Sequence, residues 1–509
     1  MTDYFVGVDS GTQGTKALVV DGESGRVLGS AFRAMGLIEG LPPGHREQHP
    51  SAWVDALVEA VREAVKVSGV EPTKIRGLGV SAQQHGFVPL DEDGDVIRPA
   101  KLWNDTSTAD ECRLLTDALG GEKKVIELIG NTIPPGFTAG KILWLKRHEP
   151  ENFERLRTVL LPHDYLNLWL TGRCTMEYGD ASGTALMDVR RRRWSEEVAE
   201  AIDPALIEKL PNIHPSDEPA GYLRSEAAER LGLRDVLVSA GGGDNMMGAI
   251  GTGNTRPGIV TVSLGTSGTV YAYSERPVVD PKGEVAAFCD STNGWLPLAC
   301  TMNVTVATDL IGRLFGYGHE ELEEAVAGSQ PGAGGLLLLP YFGGERTPNV
   351  PEGTGVLYGV SAENLTAPNM ARSAMEGATL GLNYGFNRLR ELGVNPSEVR
   401  LTGGAARNTA WRQMAADVFD VEVVRIRVEE GAAYGAAIQA LWTYRRHLGE
   451  RTNISQLTDR FVELDEESRT KPDPERAELY HRLQRLQDRL SLDLRGMFTA
   501  TNRPPTTPS

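Results

Sequence analysis

The sequence predicts an α/β protein of two similar domains, and three observations carry that reading. The chain has 509 residues, more than the roughly 250–300 that a single hydrophobic core organises. Short β-branched runs alternate with stretches whose apolar residues recur once per helical turn. One motif occurs twice, half a chain apart: Gly11-Thr12-Gln13-Gly14-Thr15 and Gly265-Thr266-Ser267-Gly268-Thr269. Each copy lies between two strand-like runs, 5–8 and 17–20 around the first, 259–262 and 270–273 around the second. Each therefore reads as a tight hairpin. The expected domains are 1–250 and 251–498, followed by a disordered tail, 499–509, rich in threonine and proline.

The elements follow in order. Strands are expected at 4–9, 15–21 and 27–33, the third after a Gly22-Glu23-Ser24-Gly25 turn. A helix comes next, with Ser51 as its N-cap and Trp53, Leu57, Val61 and Val65 on its apolar face. A strand at 75–80 completes a βββαβ order, which gives a mixed sheet of hairpins followed by a crossover. The second half repeats that outline, with strands at 259–263, 269–274 and near 296–301 and a helix around 304–315. A helix near 369–391 then precedes a strand at 399–402, a helix at 409–418, a strand at 421–426 and an Ala/Gly-rich helix from Gly431.

Composition narrows the function. With 40% hydrophobic and 24% charged residues, the chain is ordinary for a globular protein. A net charge of −17 argues against nucleic acid or an anionic membrane as partner. The four cysteines are far apart and form no CxxC, which suits free thiols better than a disulfide framework or a zinc site. Strand-like sequence begins by Phe5, leaving no room for a signal peptide, and no 18-residue apolar stretch offers a membrane span. A cytoplasmic enzyme is expected.

The duplicated loop supplies the first chemical reading. Glycines bring backbone N–H groups close to a ligand, and such a turn makes an anion-binding concavity. Two copies suggest two half-molecules gripping one polyphosphate through Gly11, Thr12 and Thr15 and through Gly265 and Thr266. Asp9 precedes the first loop, and Ser263 stands at the matching place before the second. A carboxylate beside phosphates calls for a divalent cation between them, and Mg²⁺ takes one or two carboxylates together with phosphate oxygens. The plainer alternative is an Asp that starts a turn.

Asp244 follows three glycines, 241–243, between the strand-like 236–238 run and a helix start at 246–250. That strand end is where α/β folds place ligands, so Asp244 is a candidate proton acceptor for a substrate hydroxyl; the alternative is an N-cap. Gln83-Gln84-His85-Gly86 ends the 75–80 strand with groups suited to hydroxyl recognition, and Trp103-Asn104-Asp105 offers a ring, an amide and a carboxylate to a sugar face. Either group is equally an ordinary loop or core feature. Gly403-Gly404-Ala405-Ala406-Arg407-Asn408, between a strand and a helix, allows close backbone approach to a nucleoside. Arg190–Arg193 reads as a solvated turn before a helix.

Together these residues resemble the FGGY carbohydrate kinases. One family signature reads Gly136-Phe137-Thr138-Ala139-Gly140-Lys141-Ile142-Leu143-Trp144-Leu145-Lys146-Arg147-His148. A second runs from Gly355-Val356-Leu357-Tyr358-Gly359-Val360 through Asn369-Met370 to Ser373-Ala374-Met375-Glu376. The segment 339–348 and those around Asp9, Asp244, Gly265 and Gly404 are similar too, so the resemblance spans about residues 3–490. It implies two ribonuclease H-like domains of the actin/hexokinase ATPase type with an interdomain cleft. It also implies ATP-dependent phosphorylation of a sugar or polyol hydroxyl with Mg²⁺. Members acting on D-xylulose carry Gln-Met-His-Gly or Gln-Gln-His-Gly where this chain has Gln83-Gln84-His85-Gly86. The resemblance thus implies that Gln84, His85, Asn245 and Trp103 hold a ketose, that Asp9 helps place Mg²⁺, and that Asp244 is the base. Gly403, Gly404 and Asn408 would hold adenosine in the nucleotide-binding second half. A sister kinase acting on ribulose, a polyol or a deoxy-ketose is the near alternative. A non-catalytic nucleotide-binding module is the distant one, because the fold alone does not decide activity. Family members often form dimers, so a homodimer is the assembly implied.

Overall fold

The computed structural model describes residues 3–498, so the expected tail at 499–509 lies outside the described residues. The chain forms two compact units. The first comprises the chain to Arg256, Tyr273–Pro297 and Glu430–Glu463; the second comprises Pro257–Ala272, Leu298–Glu429 and the chain from Leu464. The path is therefore not a single cut near residue 250: two segments of the second half return to the first unit.

In the first unit, Tyr4–Ser10 is the central strand. It pairs antiparallel with Gly14–Asp21, which pairs antiparallel with Val27–Ala34. On its other side lies Ile75–Ala82, parallel to it, then Leu237–Val238, parallel, and the edge strand Gly221–Tyr222, antiparallel. The second unit repeats the plan around Ile259–Leu264. Gly268–Ala272 and Trp295–Thr301 follow antiparallel on one side. Glu398–Thr402 and Val423–Ile426 follow parallel on the other, closed by antiparallel Leu464–Thr470. The expected βββαβ order is present in the first sheet; in the second half an additional strand, Ala286–Cys289, makes four strands before the helix Thr305–Phe315.

The helix after the first three strands spans Pro50–Ser68 and buries Trp53, Leu57, Val61 and Val65 in a core with Val6, Val8, Val19, Leu78 and Val80. Each such aliphatic side chain contributes roughly 1.5–3 kcal/mol when withdrawn from water. Ser51 is not its N-cap. His49 holds that place without a side-chain bond, and Pro50, whose fixed φ suits a first turn, starts the helix two residues earlier than expected. The opposite face of the first sheet takes the helix Gly431–His447. Gly7 makes that docking close, since a Cβ there would lie 1.9 Å from the carbonyl oxygen of Ala433.

The arginine run is less solvated than its composition suggests. Arg192 is half-buried, with its guanidinium 4.0 Å from the Trp295 ring centre and its Nη2 donating to the Asn293 and Gly294 carbonyls. Arg190 donates to the Ile126 carbonyl. All four cysteines are free thiols. Among the described residues, no helix is long and apolar enough to cross a membrane.

Candidate active site

The two Gly-Thr loops take different forms. In the first, Ser10 pairs with Thr15 and Asp9 with Lys16. In the second, Leu264 pairs with Gly268 and Ser263 with Thr269, so the hairpin is one residue tighter. The first loop is held by side chains. The Trp103 indole N–H donates to Thr12 Oγ1 at 3.0 Å, and that hydroxyl donates to Gln83 Oε1 at 2.9 Å. Gln83 Nε2 donates to Gln48 Oε1, and Gln48 Nε2 returns to the Thr12 carbonyl at 2.8 Å. Thr15 is buried, its hydroxyl 3.1 Å from Ser10 Oγ. Its side chain is therefore packed among core groups, away from the expected phosphate face, because its register turns it inward beside Ser10.

Asp9 and Asp244 stand on either side of the end of the strand Ile75–Ala82, which pairs with Tyr4–Ser10 and with Gly242–Gly243. Asp9 Oδ1 accepts from Ser81 Oγ at 2.8 Å. Burial lifts its carboxyl to about 6, against the Ser81 hydroxyl and the Lys16 ammonium, which lower it. Burial likewise pushes Asp244 up to about 7, the nearby Asp9 charge adding to the rise and the Asn245 donors opposing it. Asp244 is the first residue of the helix Asp244–Gly251, and Gly243 is the N-cap, so the capping alternative does not hold.

Of the residues read as substrate-binding, Asn245 meets Asp244 directly and Gln84 meets it through Asn245. Asn245 Nδ2 donates both to Asp244 Oδ1 at 3.0 Å and to Gln84 Oε1 at 2.9 Å. Gln84 and His85 are buried. Trp103 is half-buried, with its N–H committed to Thr12. Asp105 is not part of a sugar face. It is fully buried and accepts from the Arg46 backbone, Lys101 Nζ and Ser107. His45, Glu47 and Asp105 have the spacing of metal ligands. The Lys101 ammonium fills the place between them, 3.2 Å from His45 Nδ1, 3.1 Å from Glu47 and 3.2 Å from Asp105.

The loop carrying Asp244 is pinned from several sides. Gln439 Oε1 accepts from the Gly241 N–H at 2.9 Å, and its Nε2 donates to the Gly241 carbonyl at 3.1 Å. Asn167 Nδ2 donates to the Ala240 carbonyl at 2.7 Å. His163 lies fully buried between Asp164 and Asp180, at 3.0 and 2.7 Å. Burial pulls its imidazole down, but the two carboxylates outweigh that and hold it well above its usual range.

In the second unit, a cavity of about 570 Å³ is lined by Gly265, Thr266, Thr305, Gly404, Asn408 and Trp411, among others. The second loop is anchored through its backbone: Val304 N–H donates to the Thr266 carbonyl and Thr305 N–H to the Gly265 carbonyl. That leaves the Thr266 side chain exposed. Gly403 holds φ 85° and is exposed. Asn408 lines the cavity and also caps the helix Thr409–Phe419, its Oδ1 accepting from Trp411 N–H at 2.8 Å.

Sequence reasoning passed over Lys16, whose ammonium lies 2.6 Å from Glu430 Oε1 and beside Asp9. Its position just after a phosphate-type loop was a usable signal, since anions want a nearby cation. Gln439 offered none, being 198 residues from the backbone it holds.

Residues 4–251 match the model for the N-terminal domain of the FGGY family of carbohydrate kinases, and residues 260–444 match that for its C-terminal domain. A xylulose kinase of Haemophilus influenzae is 43% identical over 92% of this chain and 95% of its own length. The crystal structure of a xyloylose kinase from Brucella ovis superposes with a TM-score of 0.90 at 29% identity, covering 97% of this chain and all of that one. A gluconate kinase from Lactobacillus acidophilus reaches the same TM-score at 22% identity, covering 98% of this chain and all of its own, which is a likeness of fold alone. Two matched domains and near-complete alignment to a sugar kinase have one reading: the chain belongs to the FGGY family of carbohydrate kinases and has their actin/hexokinase-like fold.

Proposed function

We propose that the protein is a xylulokinase, transferring the γ-phosphoryl group of ATP to O5 of D-xylulose to give D-xylulose 5-phosphate. The observation that supports the acceptor site is the Gln84–Asn245–Asp244 chain, in which one amide links a sugar-binding candidate to the candidate base. The choice of D-xylulose rests on near full-length similarity to a xylulose kinase. In this reading Gln84, His85 and Asn245 hold the ketose hydroxyls. Trp103 acts through Thr12, tying the acceptor side to the first phosphate loop.

Asp244 accepts the proton of the attacking hydroxyl. A free Asp, with a pKa near 3.9, is a weak base at neutral pH; one raised to about 7 is far better matched to the task. Phosphoryl transfer demands mostly positioning and charge stabilisation, so the proton need not leave early. Gly11 and Thr12 in the first unit, with Lys16 as counter-charge, face the transferring phosphate. Gly265, Thr266, Gly403, Gly404 and Asn408 in the second hold the nucleotide.

The donor set suits Mg²⁺. Two buried carboxylates, Asp9 and Asp244, with the Asp9 charge near enough to raise Asp244, offer the hard oxygens such a cation takes. Asp9, oriented by Ser81, would hold it. Bound with ATP, Mg²⁺ supplies neutralisation of phosphate charge. Free cysteines and an acidic chain suit the cytoplasm, where we place the reaction, and a homodimer is the assembly we expect.

A substrate panel with coupled ADP detection tests the reading, using D-xylulose, ribulose, ribitol and gluconate. D-xylulose should give the highest kcat/KM. A preference for another acceptor by more than about tenfold, or ~1.4 kcal/mol of transition-state binding, overturns it.

A further inference from the structure

His85 has an unusual backbone. Its φ is 63°, in the left-handed region that a residue with a Cβ enters only when its surroundings hold it there. Its side chain is confined as well. The imidazole lies 4.5 Å from the Phe137 ring centre and 5.6 Å from that of Phe288. Gly183 closes a third side, and a Cβ at that position would come within 2.3 Å of the imidazole. The ring can keep its place only while the backbone keeps its turn.

Two groups that hold the turn come from one segment. Lys141 Nζ donates to the His85 carbonyl at 2.6 Å and to the Gly136 carbonyl at 2.7 Å. Thr138 Oγ1 donates to the same His85 carbonyl at 3.2 Å. Lys141 and Thr138 are both fully buried, and both stand on the helix Thr138–His148. An ammonium aimed at two backbone carbonyls in a site closed to water makes a strong, directional contact. Phe137, at the N-cap of the same helix, supplies the ring that faces His85. One short helix start therefore holds both the backbone and the side chain of His85.

We infer that Lys141 and Thr138 are positioning residues for the sugar acceptor: they fix the left-handed turn at His85 and so set where its imidazole meets the ketose. The inference rests on the proposed acceptor site, in which His85 touches substrate. It gives the segment 136–148 a physical task, joining a distant helix start to the acceptor pocket.

The test is a set of single and double variants assayed for separate KM values toward D-xylulose and ATP. His85→Ala, Lys141→Met and Thr138→Val are made alone, and the latter two are also combined with His85→Ala. Lys141→Met should raise the D-xylulose KM about tenfold and Thr138→Val about threefold, with the ATP KM unchanged. In the His85→Ala background both effects should shrink toward none, because groups acting through one residue are not additive with its loss. If Lys141→Met fails to fold, Thr138→Val carries the same test through the same carbonyl. Full additivity with His85→Ala, equal rises in both KM values, or an unchanged D-xylulose KM in a folded Lys141 or Thr138 variant overturns the inference alone. An unchanged D-xylulose KM in His85→Ala overturns the acceptor-site reading and the inference with it.

Discussion

The two Gly-Thr loops share a sequence but not a structure. In the first, four residues connect Ser10 to Thr15; in the second, three connect Leu264 to Gly268. That single residue changes which hydroxyls face outward, since strand side chains alternate faces. Thr15 is buried against Ser10, whereas Thr269, in register with Ser263, stays half-exposed. Thr12 is bonded into a ring with Gln83 and Gln48 and takes the Trp103 N–H. Thr266 stays exposed on a cavity wall because its loop is anchored by backbone bonds to a helix start. A duplicated motif thus yields one braced loop beside two carboxylates and one open loop beside a cavity.

The largest test of that asymmetry is the pair of carboxylates beside the braced loop. Asp244→Ala should lower kcat by about 10²–10⁴-fold, the usual worth of a positioned base. Asp9→Asn should weaken Mg-dependent turnover; an unchanged dependence of rate on Mg²⁺ would remove Asp9 from the metal role. Near-normal kcat in a folded Asp244→Ala protein would place the chemistry elsewhere.

Removing one methyl-sized hydroxyl from each loop sharpens the comparison. Thr266→Val should raise the ATP KM about threefold to tenfold and leave the D-xylulose KM alone. Thr12→Val should affect both KM values, because Thr12 also receives Trp103. Identical profiles for the two variants would mean that the loops do the same work despite their different register.

A test that leaves activity aside is stability against pH, with one buried glutamate taken from each unit. Burial pushes both Glu177 and Glu345 up to about 7, against backbone and side-chain donors. Between the unfolded value near 4.5 and about 7, the folded protein keeps a proton that the unfolded chain has lost. Their contribution is therefore fully present below pH 4.5 and is lost as pH rises through 7, on the order of 3 kcal/mol each at most. Thermal melts between pH 5 and 8 should show a flatter slope for Glu177→Gln and for Glu345→Gln than for the parent. A slope unchanged in one variant would confine the effect to the other unit.

Much of this molecule was legible locally. The hairpins, the helix face of Trp53, Leu57, Val61 and Val65, and the strand-end positions of Asp9 and Asp244 follow from periodicity, glycine and β-branching within a few residues. Errors came where a neighbour in space overrode a neighbour in sequence. Asp105 looked like a sugar ligand until Lys101, Arg46 and Ser107 used its oxygens. Arg192 looked solvated until Trp295 and two carbonyls took its guanidinium. Ser51 lost the cap to His49, because a proline starts the helix two residues earlier than expected.

By itself the sequence determined two α/β halves, a duplicated phosphate-type loop, an unduplicated Asp9 and a carboxylate at a glycine-rich strand end. These are short-range properties, set by backbone preference and by which side chains alternate. Only the tertiary structure decided that Gly431–His447 returns to the first sheet, that Gln439 holds the loop before Asp244, and that Lys141 holds the turn at His85. It also decided that Thr15 turns inward while Thr266 stays open. Each depends on a bond between groups far apart in the chain or on a one-residue register, and neither leaves a mark on local composition.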